Sequence, residues 1–449
     1  MKNKLNKALI LSILTMALPA VLEMSLNTLL GVADTIMISQ FIGKSALAAA
    51  GFANSIMFTL IFVFTSFNSG ATALVARSYG EGDYDRLNRT ASQTVLLNGG
   101  ISLVIMALSL IFSVQLFSIF DTTIEVSNFI QDYFPIVAWS IPAMFLSFSY
   151  AAILRGAGDT VSPMVITGIS NVINIIGNYV LIKGIWIFPE MGIAGAALST
   201  TISRWIAVTA YTVICFGMHE RVKLRLKDMA MQADILKPLI RISTPGAVEQ
   251  ALMQSSFLVL GVIVSRLDTV SEAAFRILIN IESISFMPAV GLSIAAATLV
   301  GKSLGEKDEE KAYASGMTSA LLATLWGGFM CIVFFVLREP ILRAFTSDAA
   351  VIQASLGTML LIAVNQPLLN FMIAMSGGLR GAGDTKAVMY ITIGRLWLIF
   401  VPGSYFLIIR MATGIAGLWI AEIAAFLIFC VIIYRRFANR EWMKIKLHD

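Results

Sequence analysis

Apolar residues fill blocks of about 22 to 30 positions along nearly the whole chain, separated by short polar turns. Twelve blocks can be drawn, at 10–38, 47–76, 91–118, 128–153, 161–184, 192–217, 238–264, 273–300, 313–337, 350–378, 387–409 and 413–434. A helix needs about 20 residues to cross a hydrocarbon layer of about 30 Å, so each block is long enough to span it. The pattern predicts an all-α polytopic membrane protein with twelve transmembrane helices. The one longer polar interval, 218–236, carries Arg221, Lys223, Arg225 and Lys227 and neither glycine nor proline. It separates an N-terminal six-helix lobe, 1–217, from a C-terminal one, 237–449. It reads as a basic cytoplasmic linker, a tether in contact with lipid headgroups.

The two lobes repeat one another. Leu-Arg-Gly-Ala-Gly-Asp-Thr occurs at Leu154–Thr160 and again at Leu379–Thr385, 225 residues on. Leu-Val-x-x-Ser-x-Gly-Glu-x-Asp at Leu74–Asp83 returns at Leu299–Asp308 with the same offset, and Pro19 with Glu23 returns as Pro245 with Glu249. Six spans per repeat keep both copies in one orientation, which predicts two pseudo-symmetric six-helix bundles related as a parallel repeat.

Composition agrees with this reading. Hydrophobic residues make up 57% of the 449 and charged ones 13%, against about 25% charge in soluble domains; mean hydropathy is +0.82. With both termini on the cytoplasmic side, 23 of the 32 Lys and Arg fall there and 6 on the other side, a strong positive-inside bias. Arg204, Arg276 and Arg395 fall inside spans. The net charge of +5 therefore belongs to membrane-facing loops and gives no reason to expect a nucleic-acid partner. The basic, then apolar, N-terminus imitates a signal peptide, but the apolar run continues past Pro19 and is expected to stay as the first helix. Cys215, Cys331 and Cys430 are scattered, and His219 and His448 are the only histidines. Neither disulfides, a metal centre nor a cofactor is expected.

In each Leu-Arg-Gly-Ala-Gly-Asp-Thr copy, Gly156 and Gly158, or Gly381 and Gly383, suit a tight turn with positive φ. Asp159 with Thr160, or Asp384 with Thr385, suit caps for the helix that follows. Arg155 and Arg380 are placed to pair with those aspartates or with helix C-terminal carbonyls.

Ionisable side chains inside a span cost on the order of 2.5–3.5 kcal/mol each and need a reason to be there. Glu23, Asn27 and Asp34 in the first segment point within roughly 40° of one another, a polar stripe about 16 Å long. Asn171, Asn174 and Asn178 form a second stripe on the fifth segment. They serve either as glue between helices or as an amide face for a cation held at Asp34. In the C-terminal lobe Glu249, Glu282 and Arg276 are the candidates for a substrate or second-lobe polar site, with Arg276 and Glu282 expected to pair as ions. Arg395 and Glu422 lie in the last two spans. Leu260 stands where Asp34 repeats, so the aspartate is not duplicated.

Pro19-x-x-x-Glu23, Val32-Ala-Asp34-Thr35, Gly80-Glu81-x-Asp83, both Leu-Arg-Gly-Ala-Gly-Asp-Thr loops and Met191-Gly-Ile-Ala-Gly-Ala-Ala197 together resemble the multidrug and toxic compound extrusion (MATE) transporters of prokaryotes. The resemblance covers essentially the whole chain. It implies a cation-coupled antiporter that exports amphipathic, often cationic, organic compounds by alternating access, acting as a multi-pass monomer in a prokaryotic plasma membrane. It implies that Asp34 is the proton- or sodium-coupling residue. Where many relatives read Asn-x-x-x-Asp, this chain has Asn174-Ile-Ile-Gly-Asn178. A single carboxylate among amides favours H+ over Na+. A lipid or lipid-linked-oligosaccharide flippase of the same superfamily is the alternative, disfavoured by the few arginines inside spans. With no His-Glu-x-x-His, Gly-x-Ser-x-Gly or Walker motif, the chain is not expected to be an enzyme.

Overall fold

A computed structural model describes residues 2–118 and 122–447; of the two histidines, His448 lies outside the described residues, as do the side chains at 2–6, 58, 59 and 61–66. The helices in order are α1 Lys2–Phe41, α2 Lys44–Phe67, α3 Ser69–Glu81, α4 Tyr84–Ile111, α5 Ser113–Ser118, α6 Ile124–Ala138, α7 Ile141–Gly156, α8 Val161–Lys183 and α9 Gly192–Val213. After the linker come α10 Ala233–Val264, α11 Thr269–Gly305, α12 Glu309–Val336, α13 Arg338–Phe345, α14 Ala349–Gly381, α15 Thr385–Ile393, α16 Val401–Tyr405 and α17 Ala416–Ala438.

Among the described residues, ten helices are long and apolar enough to cross a membrane, and the pair α6 and α7, bent by 45°, makes an eleventh. The remaining sequence block, 47–76, falls on α2 and α3, which meet at the buried Asn68. There Asn98 Nδ2 on α4 donates to Asn68 Oδ1 at 2.8 Å. The eleventh block is one run in which π-helical turns at Gly394–Phe400 and Phe406–Arg410 flank α16.

The chain divides into two compact units. The first comprises Leu22–Val75 and Asp83–Leu239. Its interior is built from Ile38, Met57, Ile130, Phe134 and Phe145, with Phe117 edge-on to Phe134 at 4.7 Å. In it α8 packs on α9, α4 on α7 and α2 on α6. The second unit holds α1 up to Val21, Ala76–Gly82 and the chain from Ile240 onward. Here α14 packs against α11, α12 and α17. One of its cores centres on Ile13, Leu379, Phe437 and Trp442, and another on Leu278, Phe334, Met359 and Trp419. Helix α1 therefore contributes to both units, and Pro19 lies inside it two residues before the changeover.

The two glycines of the repeated loop do different work, contrary to the expectation that both supply the turn. Gly158 and Gly383 take φ of +85° and +87°, which favours glycine. Gly156 and Gly381 serve close packing: a Cβ would stand 2.9 Å from Thr72 O in one copy and 2.1 Å from Ala297 O in the other.

The interval 218–236 is fastened to the first unit. Asn88 Oδ1 accepts from Lys223 N at 2.8 Å, and the fully buried Gln93 donates to Asp228 O and Ala230 O at 2.8 and 2.6 Å. Arg221 Nη1 donates to Ala157 O at 3.0 Å. Basic residues expected to meet headgroups thus partly meet protein instead.

Candidate functional site

Asp34 sits seven residues before the end of α1, and its carboxylate meets the amide face of α8. Asn178 Nδ2 donates to Asp34 Oδ1 at 2.6 Å. Asn174 and Asn178, each 1% exposed, are buried one turn apart, as the i, i+4 spacing requires. The amide of Asn174 is satisfied at both ends with Nδ2 donating to Asp34 Oδ1 at 3.0 Å and Oδ1 accepting from Thr200 N and Oγ1 at 3.2 and 3.1 Å.

Helix α9 closes this network from behind. Ser199 Oγ donates to Asn174 O at 2.8 Å. The helices come this close because residue 177 is glycine: a Cβ there would lie 2.4 Å from Ser199 Oγ. Thr200, Ser203 and the arginine beside them were not among the sequence candidates. Hydroxyl side chains are common in spans and usually bond their own helix, so only their i, i+3 spacing hinted at a shared face.

The expected stripe on α1 does not act as one site. Asn27 is exposed. Glu23 is 6% exposed and bound by Arg155, whose Nη2 lies 2.6 Å from both carboxylate oxygens. Asn171 fastens α8 to α1, donating to Leu26 O at 2.9 Å. The structure thus brings together Asp34, Asn174 and Asn178, and gives Glu23 and Asn171 other partners.

Arg155 was expected to pair with Asp159 or with helix C-terminal carbonyls; its Nη2 binds Glu23. Its counterpart repeats the arrangement in the second unit. Arg380 Nη2 lies 2.7 Å from Glu249 Oε1, which also accepts from Thr392 Oγ1 at 2.9 Å. Glu249 is accordingly the bonded twin of Glu23.

The loop aspartates have diverged. Asp159 Oδ1 accepts from Val161 N and Ser162 N, both at 3.0 Å, capping α8, and its Oδ2 lies 3.2 Å from His219 Nε2. His219 Nδ1 accepts from Arg221 N and Val222 N at 3.2 and 2.9 Å, so the ring hydrogen sits on Nε2 and is donated to Asp159. Burial pushes the Asp159 carboxyl up, and the bonds from His219 and Ser162 outweigh it, bringing it down to about 2. Asp384, by contrast, makes no side-chain cap to α15 and accepts from Arg436 Nε at 2.8 Å.

Arg276 and Glu282 do not pair. Arg276 is exposed and bonds Glu272 one turn back at 2.9 Å. Glu282 accepts from Asn365, Gln366 and Trp419 at 3.4, 3.2 and 3.3 Å, and Asn365 also donates to Glu422 at 3.1 Å. The difference follows from register: residues six apart on a helix point about 120° away from alignment, so Arg276 faces outward when Glu282 faces in. Arg395 lies 4.3 Å over the Phe426 ring.

The MatE family profile matches residues 19–180 and again 245–406, covering each half once. The chain is 30% identical over 432 residues to the probable multidrug resistance protein NorM of Thermotoga maritima, covering 96% of this chain and 93% of that one. It is 27% identical over 436 residues to the uncharacterized transporter YisQ of Bacillus subtilis, with 96% and 95% covered. In fold it is similar to a crystal structure of a MATE protein in the bent conformation, with a TM-score of 0.89 at 20% identity and 96% of both chains covered. Matched by the profile in both halves and by a relative along nearly its full length, this multi-pass chain belongs to the MATE family of membrane transporters.

Proposed function

We propose that this protein is a multidrug antiporter of a prokaryotic plasma membrane, exporting amphipathic, often cationic, compounds in exchange for protons, with Asp34 as the proton-binding group. Export of drugs is supported by relatives called multidrug resistance proteins, NorM and MdtK among them. The observation that carries the choice of ion is the way Asn178 and Asn174 face Asp34.

Asn178 aims an N–H at Asp34 Oδ1. A sodium ion needs several oxygen ligands, whereas an N–H donor serves a carboxylate that is alternately ionised and protonated. Asn174 aims a second N–H at the same oxygen at 3.0 Å and accepts from Thr200 Oγ1 on α9 at 3.1 Å. Proton uptake removes the charge that both amides serve, and the loss reaches α9 through Asn174. Pro19 leaves a break in the α1 hydrogen-bond ladder where bending is easiest.

A pH gradient supplies about 1.4 kcal/mol per unit and a potential about 2.3 kcal/mol per 100 mV, enough to hold a tenfold or greater drug gradient. The test is efflux of a fluorescent lipophilic cation from proteoliposomes under an imposed pH or sodium gradient, in wild type and Asp34→Asn. Drive by the pH gradient alone, lost in the variant, is the expected result. Sodium drive overturns the proton assignment, and movement of no cation under either gradient turns the reading to the lipid flippase.

A further inference from the structure

Two carboxylates of α1 are treated differently although an arginine is available to each. Glu23 is gripped by Arg155 at 2.6 Å. Asp34 is joined to α9 through Asn174, which bonds Asp34 Oδ1 at 3.0 Å and Thr200 Oγ1 at 3.1 Å, one turn from Arg204, whose charge acts on it; yet Arg204 makes its hydrogen bond elsewhere: Nη1 donates to Ser140 Oγ at 2.7 Å. Arg204 is on α9 at i+4 from Thr200, so it shares the face that meets Asn174. It is also the one Lys or Arg of α9.

Ser140 is no ordinary anchor. It sits at the 45° break between α6 and α7 and donates to Val137 O at 2.6 Å. Two further α9 side chains hold the same break. Thr201 Oγ1 donates to Ile136 O at 2.9 Å and Trp205 Nε1 to Trp139 O at 3.1 Å. Where the α6–α7 ladder opens, α9 supplies the missing donors, and Arg204 is the only one of the three that carries charge.

We infer that Arg204 is a positioning residue for ion coupling: tied to Ser140, it is held close enough to tune Asp34 by charge but kept from gripping it, and so carries the charge state of Asp34 to the α6–α7 break. This rests on Asp34 as the proton site. The physical reason is the contrast on α1. A direct guanidinium–carboxylate contact fixes a carboxylate ionised. A cation standing off leaves it able to take a proton while limiting the pH range over which it does so. When Asp34 is protonated Arg204 loses an opposing charge, and its hold on Ser140 is what that loss strains. The other groups acting on Asp34 are Tyr133 from α6, which interacts with both charges, and the uncharged amides of α8; Glu23 on the same helix is occupied by Arg155.

The test compares the pH midpoint of proton-driven efflux of a fluorescent lipophilic cation in three variants. Arg204→Gln removes the charge and moves the midpoint alkaline by about one pH unit. Ser140→Ala releases Arg204 to reach Asp34 and moves it acid. Arg204→Lys, keeping the charge, stays near wild type. Opposite shifts from two neighbouring sites are not the result of a general loss of packing. Unchanged midpoints, or shifts of one sign in Arg204→Gln and Ser140→Ala, overturn the inference while leaving Asp34 as the proton site. A wild type indifferent to pH sinks both.

Discussion

Glu23 and Arg155, 132 residues apart, form a buried ion pair with one guanidinium nitrogen 2.6 Å from both carboxylate oxygens. Glu249 and Arg380 form its duplicate at 2.7 Å. Removing one partner strands a charge away from water, at about 3–5 kcal/mol. Glu23→Gln and Arg155→Met should each lower the thermal midpoint of the purified transporter sharply, and the double variant should recover much of the loss. Additive losses in that double-mutant cycle would show that the two groups act independently.

This pair also marks the limit of what the sequence discloses. The duplication and most of the spans are legible because each rests on local pattern, a repeated string or an apolar run, and Asp34 stands out as a carboxylate within such a run. Arg155 misled because Asp159, four residues away, offered a nearer partner than a glutamate on another helix. The breaks at Asn68 and at Trp139–Ser140 fall inside apolar blocks, where one asparagine or serine is ordinary. Thr200, Ser203 and Arg204 acquire meaning only from what α8 and α6 bring to α9. Partner choice across helices is a tertiary property, and periodicity is silent on it.

Asn178 donates the shortest amide bond to Asp34, at 2.6 Å. A hydrogen bond to a charged group contributes about 1.5–3 kcal/mol, so Asn178→Ala should move the pH midpoint of proton-driven transport alkaline by about one to two units. The pH profile of efflux in proteoliposomes measures this. Transport at the wild-type midpoint would show that the bond is equally strong to both forms of Asp34.

Asp159 ties the loop, the start of α8 and His219 of the linker together, and its carboxyl is brought from 3.8 down to about 2. A carboxylate whose affinity for protons is lower in the folded than in the unfolded chain stabilises the fold above the unfolded value. That stabilisation is lost as pH falls through the folded value. Asp159→Asn should therefore cost up to about 2 kcal/mol at neutral pH, with the difference from wild type closing between about pH 4 and pH 2. Unfolding midpoints of both proteins across that range decide it; a gap that persists at pH 2 would mean that the lost contribution is not ionic.

Gly82 and Lys307 occupy the same turn of the two repeats, each followed by the aspartate that caps the next helix: Asp83 accepts from Arg86 N and Asp308 from Lys311 N, both at 2.9 Å. Their φ values are +73° and +59°, so the second repeat places a side chain in the left-handed region. That costs about 1–2 kcal/mol, against about 0.5–1 kcal/mol for the greater freedom of glycine in the unfolded chain. Lys307→Gly should therefore raise the thermal midpoint, by the equivalent of about 0.5 kcal/mol. Lys307→Ala, which removes the charge but keeps the strain, should not. Nothing lies within 4 Å of a Cβ built on Gly82, so Gly82→Ala should lower the midpoint through backbone strain alone. Equal gains from Lys307→Gly and Lys307→Ala would trace the effect to charge, and the conformational account of the duplicated turn would fall.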